Sequence, residues 1–107
     1  MTNKLLERID LRLANVRVME TNLRVLLGER PDDSSSDSWL SWETRVFSLI
    51  GVARIRLFIA ERLIRATLPM GEERDACMSV FWELLSMLSS LDEDVVTVIL
   101  AGEVDDQ

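Results

Sequence analysis

The feature that most constrains the fold of this chain is one long apolar stripe in the middle of its sequence. Apolar residues recur there at every third or fourth position, without a break, from Trp39 to Leu68. That spacing predicts a single amphipathic helix, helix 2, over 39–68, with a length of about 45 Å. A second apolar stripe on the same helix consists of Val52, Ile55, Ile59, Leu63 and Ala66. A helix that is apolar on two sides is normally the centre of a bundle or part of an oligomer core.

A comparable stripe predicts helix 1 over 4–27, and Gly28 and Pro31 end it. Only Glu20 interrupts the stripe. Because an unpaired buried charge is costly, we expect Glu20 to pair with an arginine of helix 2, with Arg54 or Arg56 favoured. The alternative is that Glu20 lies at the edge of the stripe and reaches water. A second, narrow stripe on the far side of helix 1 consists of Leu11, Val18 and Val25.

Residues 28–38 form the clearest loop, because they combine Gly, Pro, Asp and Ser with no apolar residue. We predict a flexible, acidic, Ser-rich connection. Asp37 or Ser38 is expected to be the N-cap of helix 2.

The last third of the chain is predicted to contain two short helices. Pro69 and Gly71 break the chain, and helix 3 then runs from Glu72 to about Ser89. Its stripe includes Cys77, which we expect to be a buried, inert thiol. Residues 90–93 read Ser-Leu-Asp-Glu and match a capping box, which predicts a helix 4 up to about residue 101 and an acidic tail over 102–107. Residues 95–100 favour a strand by propensity, but no partner strand is evident, so helix is preferred.

These patterns predict one all-α domain over 1–107, a small bundle of about four helices with a long central helix 2. The chain is 48% hydrophobic, which is enough to build one core. No stretch has the roughly 18 apolar residues of a membrane span, and no leader segment is evident. We therefore expect a cytoplasmic protein with no membrane partner.

Composition argues against most enzyme classes. The chain has no histidine, no tyrosine, one cysteine and four isolated glycines. Histidine-dependent nucleophiles, the usual zinc and haem ligands and phosphate-binding loops are therefore missing, and we expect no catalytic, cofactor or metal site. A remote alternative is a magnesium-dependent all-α nucleotide pyrophosphohydrolase, which would use the carboxylate pairs Glu7–Asp10 and Glu72–Asp75.

The net charge of −7 is unevenly distributed. Residues 1–67 carry one lysine and ten arginines against nine acids, whereas residues 68–107 carry one arginine against ten acids. One hypothesis is therefore an inhibitor, of the kind that phages or plasmids encode, that blocks a basic nucleic-acid-binding site on an enzyme. The residues expected to form its acidic surface are Glu72, Glu73, Asp75, Asp92, Glu93 and Asp94. Direct nucleic-acid binding by such an acidic chain is not expected.

The favoured hypothesis is a non-enzymatic protein-interaction module, a homodimeric regulator or adaptor. Two short helices cannot cover both sides of a 45 Å helix 2, so apolar residues should remain outside the core of the monomer. The interface candidates are Leu11, Val18, Val25, Val52, Ile55, Ile59, Leu63 and Trp82. The competing account is a helix 2 that bends near Gly51 and buries both of its stripes within one chain.

Overall fold

A computed structural model of the chain describes residues 2–105, with side chains from 4 to 104. They form three long helices, α1 (Thr2–Gly28), α2 (Asp37–Thr67) and α3 (Glu72–Asp105), with no strand among the described residues. The helices run up, down and up, so α1 and α3 are parallel and α2 is antiparallel to both. The bundle measures 57 × 18 × 18 Å.

One apolar stripe of each helix forms the core, and its members recur at three- and four-residue intervals. Burial of each large apolar side chain contributes roughly 1.5–3 kcal/mol to folding. The main stripe of α2 is buried over its whole length, but its second stripe is largely exposed, so α2 is one of three similar helices and not the centre of the bundle. The largest fully buried side chains include Ile9, Val16 and Leu23 from α1, Trp39, Val46, Leu57 and Ile64 from α2, and Phe81, Leu84, Leu88, Leu91 and Val95 from α3.

The prediction of separate helices 3 and 4 is wrong, although the all-α class is confirmed. α3 continues without a break through Ser89 and Ser90, which are exposed in its middle. No Gly or Pro interrupts this region, and Leu88 and Leu91 keep the same three-and-four spacing as the core residues before and after them. The apparent capping box is therefore part of the helix interior. Residues 95–100 are helical, and the predicted acidic tail remains helical from 102 to 105; residues 106 and 107 lie outside the described part.

The start of α2 also differs from the prediction, because its N-cap is Ser36 rather than Asp37 or Ser38. The Ser36 hydroxyl accepts a hydrogen bond from the backbone N–H of Trp39 at 3.1 Å and donates one to the carbonyl oxygen of Asp33 at 2.7 Å. The Asp33 carboxylate accepts two further bonds from Ser35. This local turn begins the helix one residue earlier than expected.

Two tryptophans, Trp39 and Trp42, pack at the end of the bundle where α1 is connected to α2. The indole N–H of Trp42 donates to the carbonyl oxygen of Leu26 at 2.7 Å, which satisfies one of the carbonyls left open at the C-terminus of α1. The Trp39 ring packs against Gly102 of α3, and the Arg30 guanidinium lies 5.8 Å from its centre. This end of the bundle therefore joins all three helices.

Two other expectations are decided by the fold. α2 is unbroken through Gly51, and Val52, Ile55 and Ile59 of its second stripe are exposed, so the account in which both stripes are buried within one chain is wrong. Cys77 is buried, as predicted. Burial raises the pKa of its thiol, and the nearby charges of Asp10 and Glu73 add to the effect, so the unreactive protonated form is favoured.

Candidate interaction surfaces

The first exposed apolar surface lies along α1 and α2, and we call it the α1–α2 face. On α1, Leu11, Val18 and Val25 follow one another at seven-residue intervals and are all exposed. Leu11 borders α2, and Val18 and Val25 continue its line along the outer side of α1. The exposed residues of α2 on this face are Val52, Ile55 and Ile59. Among the α1 and α2 interface candidates, Leu63 differs from the others because it is half-buried and packs against the core.

A groove of about 420 Å³ lies between the two helices on this face. Leu11 of α1 and Ile59 of α2 provide its apolar walls, and Arg12, Asn15 and Arg56 line it with polar atoms. A guanidinium N–H of Arg56 donates to the Asn15 amide oxygen at 2.7 Å across the groove. Apolar walls with a few fixed hydrogen-bonding groups are typical of binding grooves.

The arginines of α1 and α2 differ in whether they have an acidic partner. Arg17 pairs with Glu83 of α3 at 3.4 Å, Arg54 pairs with Asp92 of α3, and Arg65 approaches Glu61 of its own helix. The arginines on the α1–α2 side have no carboxylate partner within the described residues, and they are Arg8, Arg12, Arg45, Arg56 and Arg62. Positive charge on this face is therefore not neutralised by the chain itself.

The second exposed apolar surface lies along α2 and α3 and is rich in aromatic rings; we call it the α2–α3 face. Trp82, the remaining interface candidate, is 55% exposed, and its ring meets that of buried Phe81 edge-on with 5.1 Å between centres. Phe58 of α2 flanks Phe81 on the other side, at 6.2 Å. Leu40, Phe47 and Val96 are also exposed and extend this face.

Leu40, Phe47, Phe58 and Val96 were not predicted as surface residues of this face, although the sequence holds a signal for them. Leu40, Phe47 and Phe58 are separated by seven and eleven residues, intervals that return to the same side of a helix. Val96 follows Trp82 by fourteen residues on α3. The signal is weaker than that of Leu11, Val18 and Val25 because its members are divided between two helices and unequally spaced.

Glu20 is buried, with 4% of its surface exposed, but its partner differs from the prediction. Arg24, one turn later on α1, forms the ion pair, and it also contacts Asp94 of α3 at 3.2 Å. Arg54 and Arg56 are engaged elsewhere. A partner on the same helix needs no adjustment between helices, which explains why Arg24 takes this place. The hydrogen bond that Arg24 donates to Glu20 raises the pKa of the guanidinium.

The candidate acidic residues do not form one free surface. Asp92 and Asp94 pair with arginines of the same chain. Glu72, Glu73 and Asp75 are exposed in the first turn of α3, where acids favour the positive end of the helix dipole. That turn lies at the opposite end of the bundle from Glu103, and Glu93 is exposed between them. The acidic charge is thus dispersed along α3 and partly neutralised.

The two carboxylate pairs considered as metal ligands gain no further ligand among the described residues. Glu7–Asp10 and Glu72–Asp75 lie on α1 and α3, and no group of three or more Cys, Asp or Glu residues there is arranged to hold a metal ion. Every buried polar side-chain atom in the same part of the chain has a hydrogen-bond partner. None of the three helices, over the residues described, has a stretch long and apolar enough to cross a membrane.

Comparison with known proteins adds no functional assignment. No protein-family model matches this sequence, and no similar chain was found among curated proteins or among solved structures.

Proposed function

We propose that this protein is a non-enzymatic protein-interaction module, a regulator or adaptor that acts as a homodimer. The observation that carries the proposal is the α2–α3 face, where three-helix packing leaves aromatic and aliphatic side chains half exposed. Aromatic side chains dominate the energetics of protein interfaces, and contiguous apolar surface of this kind usually marks an interaction site.

The charges of the α2–α3 face favour a second copy of the chain as its occupant. Arg54 pairs with Asp92, and Arg65 approaches Glu61 at 3.8 Å, so these four charges near Phe58 are held within the chain. A two-fold axis brings each residue close to its own copy or its neighbours, and a balanced surface meets no net repulsion there. The exposed apolar side chains are spread along both helices, from Leu40 to Phe58 on α2 and from Trp82 to Val96 on α3, so the contact can extend over several helical turns.

The size of the face is adequate for a stable dimer. The bundle is 57 Å long and 18 Å wide. Such a side has a footprint on the order of 1,000 Å², whereas standard interfaces bury about 800 Å² per partner. A side-by-side dimer could therefore bury a standard interface without any change of fold.

The test is sedimentation equilibrium from low to high micromolar concentration. The wild-type chain is expected to approach twice its 12.2 kDa mass as concentration rises. The double variant Phe47→Ser/Trp82→Ser removes two exposed side chains from the α2–α3 face and should remain monomeric. The matched control, Leu11→Ser/Val18→Ser, removes two exposed side chains from the α1–α2 face and should dimerise like the wild type.

Two results would contradict the proposal. One is a wild-type mass that stays at 12.2 kDa over the whole concentration range. The other is a Phe47→Ser/Trp82→Ser chain that dimerises as strongly as the control, which would place self-association on another face.

The inhibitor hypothesis has weaker support, because it requires a concentrated acidic surface. Two of its six candidate residues, Asp92 and Asp94, are held in ion pairs within the chain, and three others lie together in the first turn of α3. An inhibitor that imitates nucleic acid would bind its target with a steep dependence on salt, and a dimer held by apolar side chains would not.

A further inference from the structure

We propose that the α1–α2 face is the docking site for an acidic amphipathic helix of a partner protein. The proposal rests on the proposed role as an interaction module, but not on self-association, which uses the α2–α3 face. The occupant is identified by three properties of the face: its apolar stripe, its unneutralised arginines and its two-helix wall.

The apolar stripe sets the pattern of the partner. Leu11, Val18 and Val25 span fourteen residues of α1, which corresponds to about 21 Å, or four helical turns. The 420 Å³ groove opens between Leu11 and Ile59 of α2, at the start of this line, and Ile55 is exposed one turn before Ile59. A ligand that covers this length needs apolar side chains along one edge at helical spacing.

The unneutralised arginines set the charge of the partner. Arg12 and Arg56 line the groove, and Arg8 and Arg62 lie one turn from Arg12 and Ile59 on the same faces of their helices. No carboxylate of the described chain pairs with any of these four arginines. Glutamate or aspartate on both flanks of the incoming apolar edge would supply the missing partners.

The wall of the groove sets the conformation of the partner. Both sides of the groove are helices, whose backbone N–H and C=O groups are already bonded within each helix. An extended peptide would find no free backbone edge to pair with. A helix satisfies its own backbone and can pack its side chains between those of α1 and α2, as a fourth helix of the bundle would.

Other occupants fit less well. A second copy placed on this face by a two-fold axis would bring Arg12 and Arg56 towards their own copies, which is unfavourable. Nucleic acid would bring phosphates against Leu11 and Ile55, which offer them no hydrogen bond. A second copy on this face would show as loss of dimerisation in the Leu11→Ser/Val18→Ser chain, and nucleic acid would show as binding of a labelled DNA.

The experiment uses designed peptides and fluorescence anisotropy with the full chain. The acidic probe is three repeats of Leu-Ala-Ala-Leu-Glu-Ala-Glu, a helix with one leucine edge and glutamates beside it. The control probe has lysine at every glutamate position. We expect the acidic probe to bind at least about tenfold more tightly than the basic one, and to weaken about tenfold from low to high salt.

Matched variants locate the binding site. Arg12→Gln should weaken binding of the acidic probe about threefold to tenfold. Arg65→Gln also removes one positive charge, but outside the face, and should have little effect. Likewise, Ile59→Ser should weaken binding, whereas Phe47→Ser on the α2–α3 face should not. Circular dichroism of each variant verifies that the helices are intact.

The proposal is overturned if both probes bind equally, if the acidic probe does not bind at about 1 mM, or if Arg12→Gln and Arg65→Gln have equal effects. A labelled single-stranded DNA that binds more tightly than the acidic probe would assign the face to nucleic acid instead. The Phe47→Ser/Trp82→Ser chain separates the two proposals, because it should bind the acidic probe normally even though it does not dimerise.

Discussion

At the scale of single residues, Glu20 is the one buried charged side chain within the described part of the chain. It is linked through Arg24 to Asp94, so an acid of the α1 core stripe is connected to α3 across the bundle. Its position could be recognised from the sequence, because it interrupts an apolar stripe. Its partner could not, since several arginines were within reach and only the packed structure shows which of them have other partners.

We expect Glu20→Gln to lower the free energy of unfolding by about 0.5–2 kcal/mol, because the buried ion pair loses its negative charge. The measurement is urea denaturation followed by circular dichroism. Glu83→Gln is the matched control: Glu83 also pairs with an arginine of α1, but both partners are about half exposed, so the change should stay within about 0.5 kcal/mol. Equal effects of the two substitutions would contradict the expectation that the buried Glu20 ion pair contributes more to the free energy of unfolding than the exposed Glu83 pair.

Two glycines make a second matched pair. At Gly102 an added Cβ would lie only 2.9 Å from Cζ3 of the Trp39 ring, whereas nothing lies within 4 Å of a Cβ at Gly51. We expect Gly102→Ala to destabilise the fold by about 1–3 kcal/mol through overpacking. Gly51→Ala should stabilise it by about 0.5–1 kcal/mol, because alanine favours a helix. Thermal denaturation shows whether each substitution raises or lowers the stability. A Gly102→Ala chain more stable than the wild type would contradict the close packing of Gly102 against Trp39.

At the scale of elements, the long apolar stripes predicted the first two helices closely, whereas the local capping signal misplaced a boundary in the third. The motif at Ser90 satisfies the local rule for a helix start, but it is exposed in the middle of α3. Packing of Leu88 and Leu91 on the same side keeps the chain helical there. Helix boundaries depend on this competition between local hydrogen bonds and burial, which residue spacing alone does not quantify.

Alanine substitution distinguishes a capping serine from a serine inside a helix. Ser90→Ala should stabilise the protein by a few tenths of a kcal/mol, because alanine is the better helix former. Ser36→Ala should destabilise it by about 1 kcal/mol, because the side chain that accepts the Trp39 N–H is removed. Chemical denaturation of both variants gives the change in the free energy of unfolding. A clear loss of stability with Ser90→Ala would indicate that Ser90 caps a separate fourth helix, as the sequence predicted.

At the scale of the whole molecule, the all-helical class followed from the sequence, but the equal standing of three helices and the distribution of charge between the faces did not. Which arginines lack acidic partners depends on how α3 packs against α1 and α2. The aromatic α2–α3 face emerges in the same way, because Phe58 and Trp82 belong to different helices and meet only through Phe81. Such surfaces combine residues that are distant in the chain.

The proposed dimer also predicts a shape. A side-by-side pair through the α2–α3 face keeps the longest dimension near the 57 Å of one bundle while the mass doubles. Small-angle X-ray scattering on a concentrated sample should therefore show a thicker particle of nearly unchanged length. A maximum dimension close to twice that of one bundle would indicate end-to-end association, which the α2–α3 face cannot produce.

The parallel course of α1 and α3 has a mechanical consequence. With three long helices, the beginning of α1 and the end of α3 lie at opposite ends of a 57 Å rod. A tensile force applied between those two points acts along the helix axes, so the helices are loaded in shear. Many interlocked side chains of the core must then yield together, whereas a pair of antiparallel helices pulled from one end would separate one turn at a time.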